Sequence, residues 1–415
     1  MLVYTISKKD GKISGEVSLA PSKSISNRNI LIKALKSAKF DTSTISEKDA
    51  ARVIDKSIRK GEVALDKGDP AKAIRFLRAF ISYFGGEWII TGSSEMRKRP
   101  IGDVIEILKG EGLNIKYLER EGFPPLKIIG KGFKENITRV DASICSQFIS
   151  ASLVISPTME ANNVVEFKDK ILNSPYISQT IRLFNYLGSN KDWNKDEILV
   201  EHELHDGSEM TVEADWLAAS YWYQLIALSS KGELVISGLN PDSVQGNAIA
   251  KEIFEPLGVK TEVVNNGIRI VKVKRKLKSF EYDFSINPDL VPTIVTTCVA
   301  LSIPFRFKGI EVFRQQDSDR VLALQTQISK LGAKIEVEKK DEFEILTFNG
   351  KTKFSSKKFI SFSTFGDHRI AMSLAPLSVL GMDVNIEDPK VVAKSYPCFW
   401  EDMEKAGFSV DKNND

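Results

Sequence analysis

Positive charge recurs at one structural phase of this chain. Helix beginnings ordinarily favour Asp and Glu, because the helix dipole places partial positive charge there and a cation in the first turn is mildly unfavourable. PSKSISNRNILIKAL nevertheless sets Lys23 and Arg28 around a Ser-capped helix start, and GDPAKAIRFLRAF sets Lys72 and Arg75 just after Asp69-Pro70. MRKRPIGDVIEIL stacks Arg97, Lys98 and Arg99 ahead of Pro100, QQDSDRVLAL brings Arg320, GDHRIAMSLA brings Arg369, and AKSYPCFWEDM brings Lys394. Such a cation is stabilised when an anion binds both it and the helix end, since free backbone N–H groups and the side chain then converge on one phosphate or carboxylate. One of these residues alone reads as a solvated surface charge. Recurrence at six helix starts points to small ligands that carry several negative charges.

Other chemistries lack their residues. There is no GxxxxGK[ST] loop, no GxGxxG after a strand and no GxSxG elbow, which argues against a nucleotide kinase, a dehydrogenase and a serine hydrolase. Cys145, Cys298 and Cys398 are too far apart for a disulfide framework or a CxxC metal site, and His202 and His205 have no third ligand at metal-site spacing. No metal is expected. Lys and Arg number 58 against 55 Asp and Glu, and a net charge of +3 is too small to mark a nucleic-acid or membrane partner. The N-terminus lacks the apolar core of a signal peptide, and the longest apolar stretch, Leu290 to Phe305, is broken by prolines and threonines. A soluble, cytoplasmic protein is expected, with ordinary globular composition at 42% hydrophobic and 27% charged residues.

The elements that position these cations repeat along the chain. An amphipathic helix, a glycine stop and an alternating strand recur at Gly112, Gly188, Gly258, Gly332 and Gly407, about 70–76 residues apart, with a shorter copy over Ala50 to Gly61. That period suits a small α/β subdomain used six times, hence two domains of three units each. The repeat phase places a boundary near Glu213, where EADWLAASYWYQLIAL begins a helix whose aromatics read as core. The domains expected are 1–19 with 214–415, and 20–213. Helix starts at a shared phase lie on corresponding ends of the subdomains, so two facing domains would gather them in one cleft.

The segments PSKSISNR, RFLRAF after a GDPA turn, RKRPIGD, SQFISASL, PYISQT, PDLVPT, DSDR, GDHRIAMSLA and DPKVVAKSYP, in this order, resemble those of the EPSP synthase family of enolpyruvyl transferases. The likeness runs from about Lys23 to Lys394. It implies an α/β (α+β) fold, a two-domain inside-out α/β barrel in which each domain holds three βαβαββ units. It also implies a reaction in which the 5-hydroxyl of shikimate 3-phosphate adds to C2 of phosphoenolpyruvate, C3 is protonated, and phosphate is eliminated with a C3 proton from the tetrahedral intermediate. The expected partners are these small anionic molecules; no cofactor, nucleic acid or membrane is expected, and the chain is expected to be a monomer. By resemblance, Lys23, Arg99, Arg320, Arg369 and Lys394 hold phosphoenolpyruvate, with Ala71 packed beside it and Gln147 between the substrates. Lys23, Ser24, Arg28, Ser146 and Tyr176 contact shikimate 3-phosphate, as do Cys145 and Asn173 at positions where the family usually has serine. His368, Lys23, Asp317 and Gln316 join the catalytic set.

Asp289, in NPDLVPT, matches the aspartate the family depends on. A carboxylate there can accept the hydrogen of the attacking hydroxyl; its bland alternative is a cap for the following helix. Several positions depart from the family pattern. Gln316-Asp317 stands where a Lys-Glu pair is usual, and glutamine can neither titrate nor carry charge. Val312 replaces a usual asparagine and Ala71 a close-packed glycine. Two other readings stand beside the family reaction: transfer to a different alcohol, and binding of shikimate phosphate or a similar anion without turnover. The sister enzyme acting on UDP-N-acetylglucosamine fits less well, because no cysteine lies between Arg97 and Gly102.

Overall fold

The computed structural model describes residues 2–22, 25–26, 62–65, 86–92, 94, 96–98, 101–102, 105–106, 109, 114–130, 137–140, 163–167, 197–200, 212–310, 319–340, 343–353 and 359–414. The chain forms two compact units, Met1–Ser22 with Glu213–Asp415, and Lys23–Val212. The first unit opens with β1 (Leu2–Ser7) and β2 (Lys12–Ser18). The second holds β3 (Glu62–Leu65), β4 (Gly86–Gly92), β5 (Asn114–Tyr117), β6 (Leu126–Gly130), β7 (Ile137–Val140), β8 (Asn163–Phe167) and β9 (Glu197–Val200). The first unit then resumes with α1 (Trp216–Leu228), β10 (Lys231–Ser237), α2 (Ala250–Phe254), β11 (Val259–Val264) and β12 (Gly267–Lys272). It continues with β13 (Phe280–Asp283), α3 (Val291–Ala300), β14 (Phe305–Lys308), α4 (Arg320–Ser329), β15 (Ile335–Lys340) and β16 (Phe343–Phe348). It closes with β17 (Phe359–Phe362), α5 (His368–Leu374), β18 (Asp383–Glu387), α6 (Phe399–Lys405) and β19 (Ser409–Asn414).

One pairing pattern recurs among the described residues. In the first unit β2 runs parallel to β10, β13 to β14 and β17 to β18, and each parallel pair is extended by two antiparallel strands. These are β12 and β11, β16 and β15, and β1 and β19, so the N-terminal strand completes the third sheet. Read along the chain, each sheet with its helices is strand, helix, strand, helix and two strands. In the second unit β3 and β4 are parallel and extend through β6 to β5, and β7 and β8 are parallel and extend to β9. The glycine stops at Gly258, Gly332 and Gly407 all carry positive φ, the left-handed geometry that ends a helix.

The helices between the parallel strands form the centre of the first unit. Every residue of α1 except Leu217 and Ala218 is buried, every residue of α3 except Ala300, and every residue of α5 except Arg369. α3 packs against both α1 and α5. A helix apolar on all sides is stable only when surrounded, and strands such as β10 and β14 bury alternate residues with the others exposed or half-buried. The helices are therefore inside and one face of each sheet covers them.

Two local devices set the approach to Asp289. Phe284 packs edge-on against Phe307 at 4.9 Å, and Phe280 does the same at 5.4 Å, anchoring the end of β13. Beyond it, the Asn287 amide donates to the Phe284 carbonyl and the Asn287 side chain to that of Gly246, leading into a 3-10 turn over Pro288–Leu290. Gly309, just past β14, has φ +74°, and a Cβ there would lie 2.1 Å from the Ser285 nitrogen. Gly309→Ala should therefore lower stability by about 2–4 kcal/mol, through strain and the forced separation of two backbones. Urea unfolding reads this directly, and a midpoint equal to the parent's would show that the exit of β14 can shift freely.

Candidate active site

The central helices of the first unit each begin beside an aspartate. Asp215 caps α1, accepting from the Leu217 and Ala218 amides at 2.8 and 3.2 Å. Asp289 lies in the 3-10 turn leading into α3, and Asp367 caps α5 by accepting from the Arg369 amide at 2.8 Å. Acidic caps satisfy orphan N–H groups and complement the helix dipole.

Two arginines enter among these acids. Arg320 is the first residue of α4, whose own cap is Asp319. Its Nε donates to Oδ2 of Asp367 at 2.7 Å, with side chains 3% and 0% exposed, and its Nη1 lies 3.7 Å from Oδ1 of Asp289. Arg369, the one residue of α5 not buried, places Nη2 3.0 Å from Oδ2 of Asp289. Asp289 is thus flanked by two guanidinium groups, one of them anchored from behind by a fully buried carboxylate. Guanidinium stays charged under all working conditions, so this charge is permanent.

Asp289 does not cap α3: Leu290 holds the cap position without a side-chain bond, and the arginines engage the Asp289 carboxylate instead. His368, the first residue of α5, is buried, with Nδ1 3.9 Å from Oδ1 of Asp367. Lys394 corrects one expectation from the sequence. It lies not at a helix start but on the last residue of a 3-10 helix, Pro389–Lys394, while α6 begins only at Phe399. Pro397 disfavours helical geometry at Tyr396, so no helix could run through the lysine into α6. The Lys394 ammonium donates to the Gly366 carbonyl at 2.9 Å, one residue before Asp367, which sets it beside the same cluster.

Two members of the cluster went unnamed in the sequence reading. Asp367 stands inside the GDHR motif beside the histidine and arginine, and Asp215 stands at the helix start that the apolar run after Glu213 marks. The available signal was an acid at the start of three successive central helices. Burial raises the Asp215 carboxyl above its ordinary range, opposed by the two amides it caps, and the charges of Arg369 and Asp289 both reach it. Burial likewise pushes up the Tyr221 phenol of α1, within the fields of Arg369 and Arg320. Among the described residues no group of His, Cys, Asp and Glu could hold a metal ion. Arg97 pairs with Glu119 at 3.5 Å on an exposed surface, so its charge is already partly matched.

Lys23, Ser24, Arg28, Ala71, Arg99, Cys145, Ser146, Gln147, Asn173, Tyr176, Gln316 and Asp317 lie outside the described residues. Lys72, Arg75, Pro100, Gly112, Gly188, His202, His205 and Val312 do so as well.

A family model described as EPSP synthase (3-phosphoshikimate 1-carboxyvinyltransferase) matches residues 39–403. A 3-phosphoshikimate 1-carboxyvinyltransferase of Bacteroides fragilis strain YCH46 is 36% identical over 400 residues, covering 96% of this chain and 97% of the relative. One from Colwellia psychrerythraea is 29% identical over 422 residues, covering 95% and 97%. Among solved structures, an EPSP synthase from Acinetobacter baumannii superposes with a TM-score of 0.72 at 18% identity, over 100% of both chains. The enolpyruvyl transferase NikO from Streptomyces tendae gives 0.65 at 13% identity, also over 100% of both. At these identities the structural matches speak for the fold alone, a mixed α/β architecture.

Proposed function

The chain belongs to the EPSP synthase family, and from that membership we propose which of its residues carry the reaction. The enzyme transfers the enolpyruvyl group of phosphoenolpyruvate to the 5-hydroxyl of shikimate 3-phosphate and releases phosphate, a step of aromatic amino acid biosynthesis. The observation that carries the assignment is Asp289 held between Arg369 at 3.0 Å and Arg320 at 3.7 Å.

Arg320, Arg369 and Lys394 hold the phosphoenolpyruvate anion. Arg320 Nη1 supports this: it is buried and makes no hydrogen bond among the described residues, and a carboxylate or phosphate oxygen would satisfy it. Asp289 accepts the proton of the 5-hydroxyl as its oxygen attacks C2, and the flanking guanidiniums orient that carboxylate. C3 takes up a proton as C2 is attacked, and elimination then removes a proton from C3 as the bond from C2 to the phosphate oxygen breaks. The charge that develops on the leaving phosphate is stabilised by fixed cations more than the bound substrate is. Lys23, Arg99, Gln147 and Ala71 complete the phosphoenolpyruvate end in this reading. Ser24, Arg28, Cys145, Ser146, Asn173 and Tyr176 hold shikimate 3-phosphate. His368, Gln316 and Asp317 stand in the catalytic set, His368 beside the Asp367 carboxylate. Cys298 and Cys398 are both free thiols, which suits work in a reducing cytoplasm.

Phosphate release in the presence of both substrates, with identification of the enol ether product, tests the whole assignment. Release without that product, or none, would reject it. Gln316→Lys tests the departure from the family pattern. Restoring a cation beside a leaving phosphate should raise kcat/KM for phosphoenolpyruvate about 10- to 100-fold, since a charge-assisted contact contributes roughly 1.5–3 kcal/mol. A slower variant would mean that the site has organised itself around glutamine.

A further inference from the structure

Two residues beyond Lys394 the chain buries a polar network that the chemistry above does not use. Trp222 of α1 donates its indole N–H to the Tyr396 hydroxyl at 3.2 Å, and Tyr396 donates to Oδ2 of Asp402 at 2.8 Å. Lys405 donates to the other oxygen of Asp402, also at 2.8 Å. The direction of every bond is determined, because an indole nitrogen and an ammonium only donate and an ionised carboxylate only accepts. Tyr396 and Asp402 are each 3% exposed, and Trp222 is fully buried. Polar groups so deep are costly unless satisfied, and a satisfied network of this kind specifies one arrangement of the side chains it joins.

That arrangement fixes the backbone on which Lys394 stands. The Ser395 and Tyr396 amides both donate to the Val392 carbonyl, at 3.1 and 2.8 Å, closing the 3-10 helix Pro389–Lys394. Val392 is buried on one side of the lysine and Tyr396 on the other, where the ring also packs edge-on against Phe399 at 5.5 Å. Lys394 itself is exposed and reaches the Gly366 carbonyl beside the Asp367–Arg369 segment. A long flexible side chain ends where its Cα allows, so the anchors on either side decide where the ammonium is delivered. Burial and the adjacent Asp402 carboxylate both push the Tyr396 phenol upward, which keeps its hydrogen available to donate.

We propose that the Trp222–Tyr396–Asp402 network is a positioning device for Lys394, holding the turn so that the ammonium meets the anion bound at Arg320 and Arg369. Tyr396 is then a positioning residue for phosphoenolpyruvate. This rests on the assignment of Lys394 to the phosphoenolpyruvate site.

The test compares the parent enzyme with Tyr396→Phe, Lys394→Ala, the double variant, Asp402→Leu and Asp402→Asn, by steady-state kinetics and thermal unfolding. Tyr396→Phe should raise KM for phosphoenolpyruvate about fivefold, with kcat and KM for shikimate 3-phosphate within about twofold of the parent, the signature of a lost binding contact. Asp402→Leu should behave alike, whereas Asp402→Asn, which keeps an acceptor for the phenol, should stay near the parent. Lys394→Ala should raise the same KM at least about tenfold, and adding Tyr396→Phe to it should change nothing further, because residues acting through one another are not additive. A lower melting temperature with unchanged KM in Tyr396→Phe would overturn the proposal and leave Lys394 in the site. So would an equal rise in KM in both backgrounds. An unchanged KM in Lys394→Ala would remove the lysine from the site and the positioning role with it.

Discussion

Asp289→Asn is expected to lower kcat by at least about a thousandfold, the scale at which a positioned acid–base group contributes to a proton transfer. The structure adds a second, less obvious expectation. The Asp289 carboxylate is the shared counter-charge of Arg369 at 3.0 Å and Arg320 at 3.7 Å. An amide of the same shape removes that negative charge without emptying the space, so the net positive charge facing an anion rises. Phosphoenolpyruvate should therefore bind at least as tightly to the variant as to the parent while turnover collapses. Isothermal titration beside steady-state kinetics separates the two effects. A variant that retains more than a tenth of the parent kcat would show that the proton leaves by another route, and one that binds phosphoenolpyruvate more weakly would show that Asp289 does not face the anion.

The other large effect is expected at Asp367, which contacts no substrate in the proposed site. Its carboxylate is fully buried and holds the Arg320 guanidinium at 2.7 Å, and it also caps α5. Asp367→Asn keeps a good helix cap but strands a buried arginine, and removing one partner of a buried ion pair costs about 3–5 kcal/mol. Arg320 would also be drawn towards Asp289 at 3.7 Å, so the carboxylate proposed to take the proton would be engaged elsewhere. Both stability and kcat/KM should fall, the latter by about a hundredfold for a displacement on the order of 1 Å in the reacting groups. Asp367→Ala should cost about a further 1 kcal/mol through the lost cap. Near-parental stability in Asp367→Asn would mean that the Arg320–Asp367 pair is compensated by rearrangement.

Much of this was legible in the chain itself. The glycines at 258, 332 and 407 mark helix ends because a left-handed turn is a local property that a Cβ penalises. The repeat of helix, glycine and strand announced the subdomain, since hydrophobic period is written in neighbouring residues. Arg320 and Arg369 could be singled out because each stands at a helix start, where a cation is unfavourable unless an anion shares the site. The motif order carried the family, and with it the expectation for Asp289.

What the sequence could not supply was the pairing. Arg320 meets Asp367 across 47 residues of chain, and Trp222 meets Tyr396 across 174. No period or cap rule spans such distances. Lys394 illustrates the same limit: the sequence suggested a helix start there, whereas the lysine ends a separate 3-10 turn and Pro397 keeps α6 from beginning before Phe399. The sequence determined the local elements, because caps, glycine stops and alternation act over a few residues. Only the tertiary structure decided which charges face one another, because packing the three buried helices α1, α3 and α5 inside their sheets brings Asp289 into reach of both Arg320 and Arg369, and Asp367 into reach of Arg320.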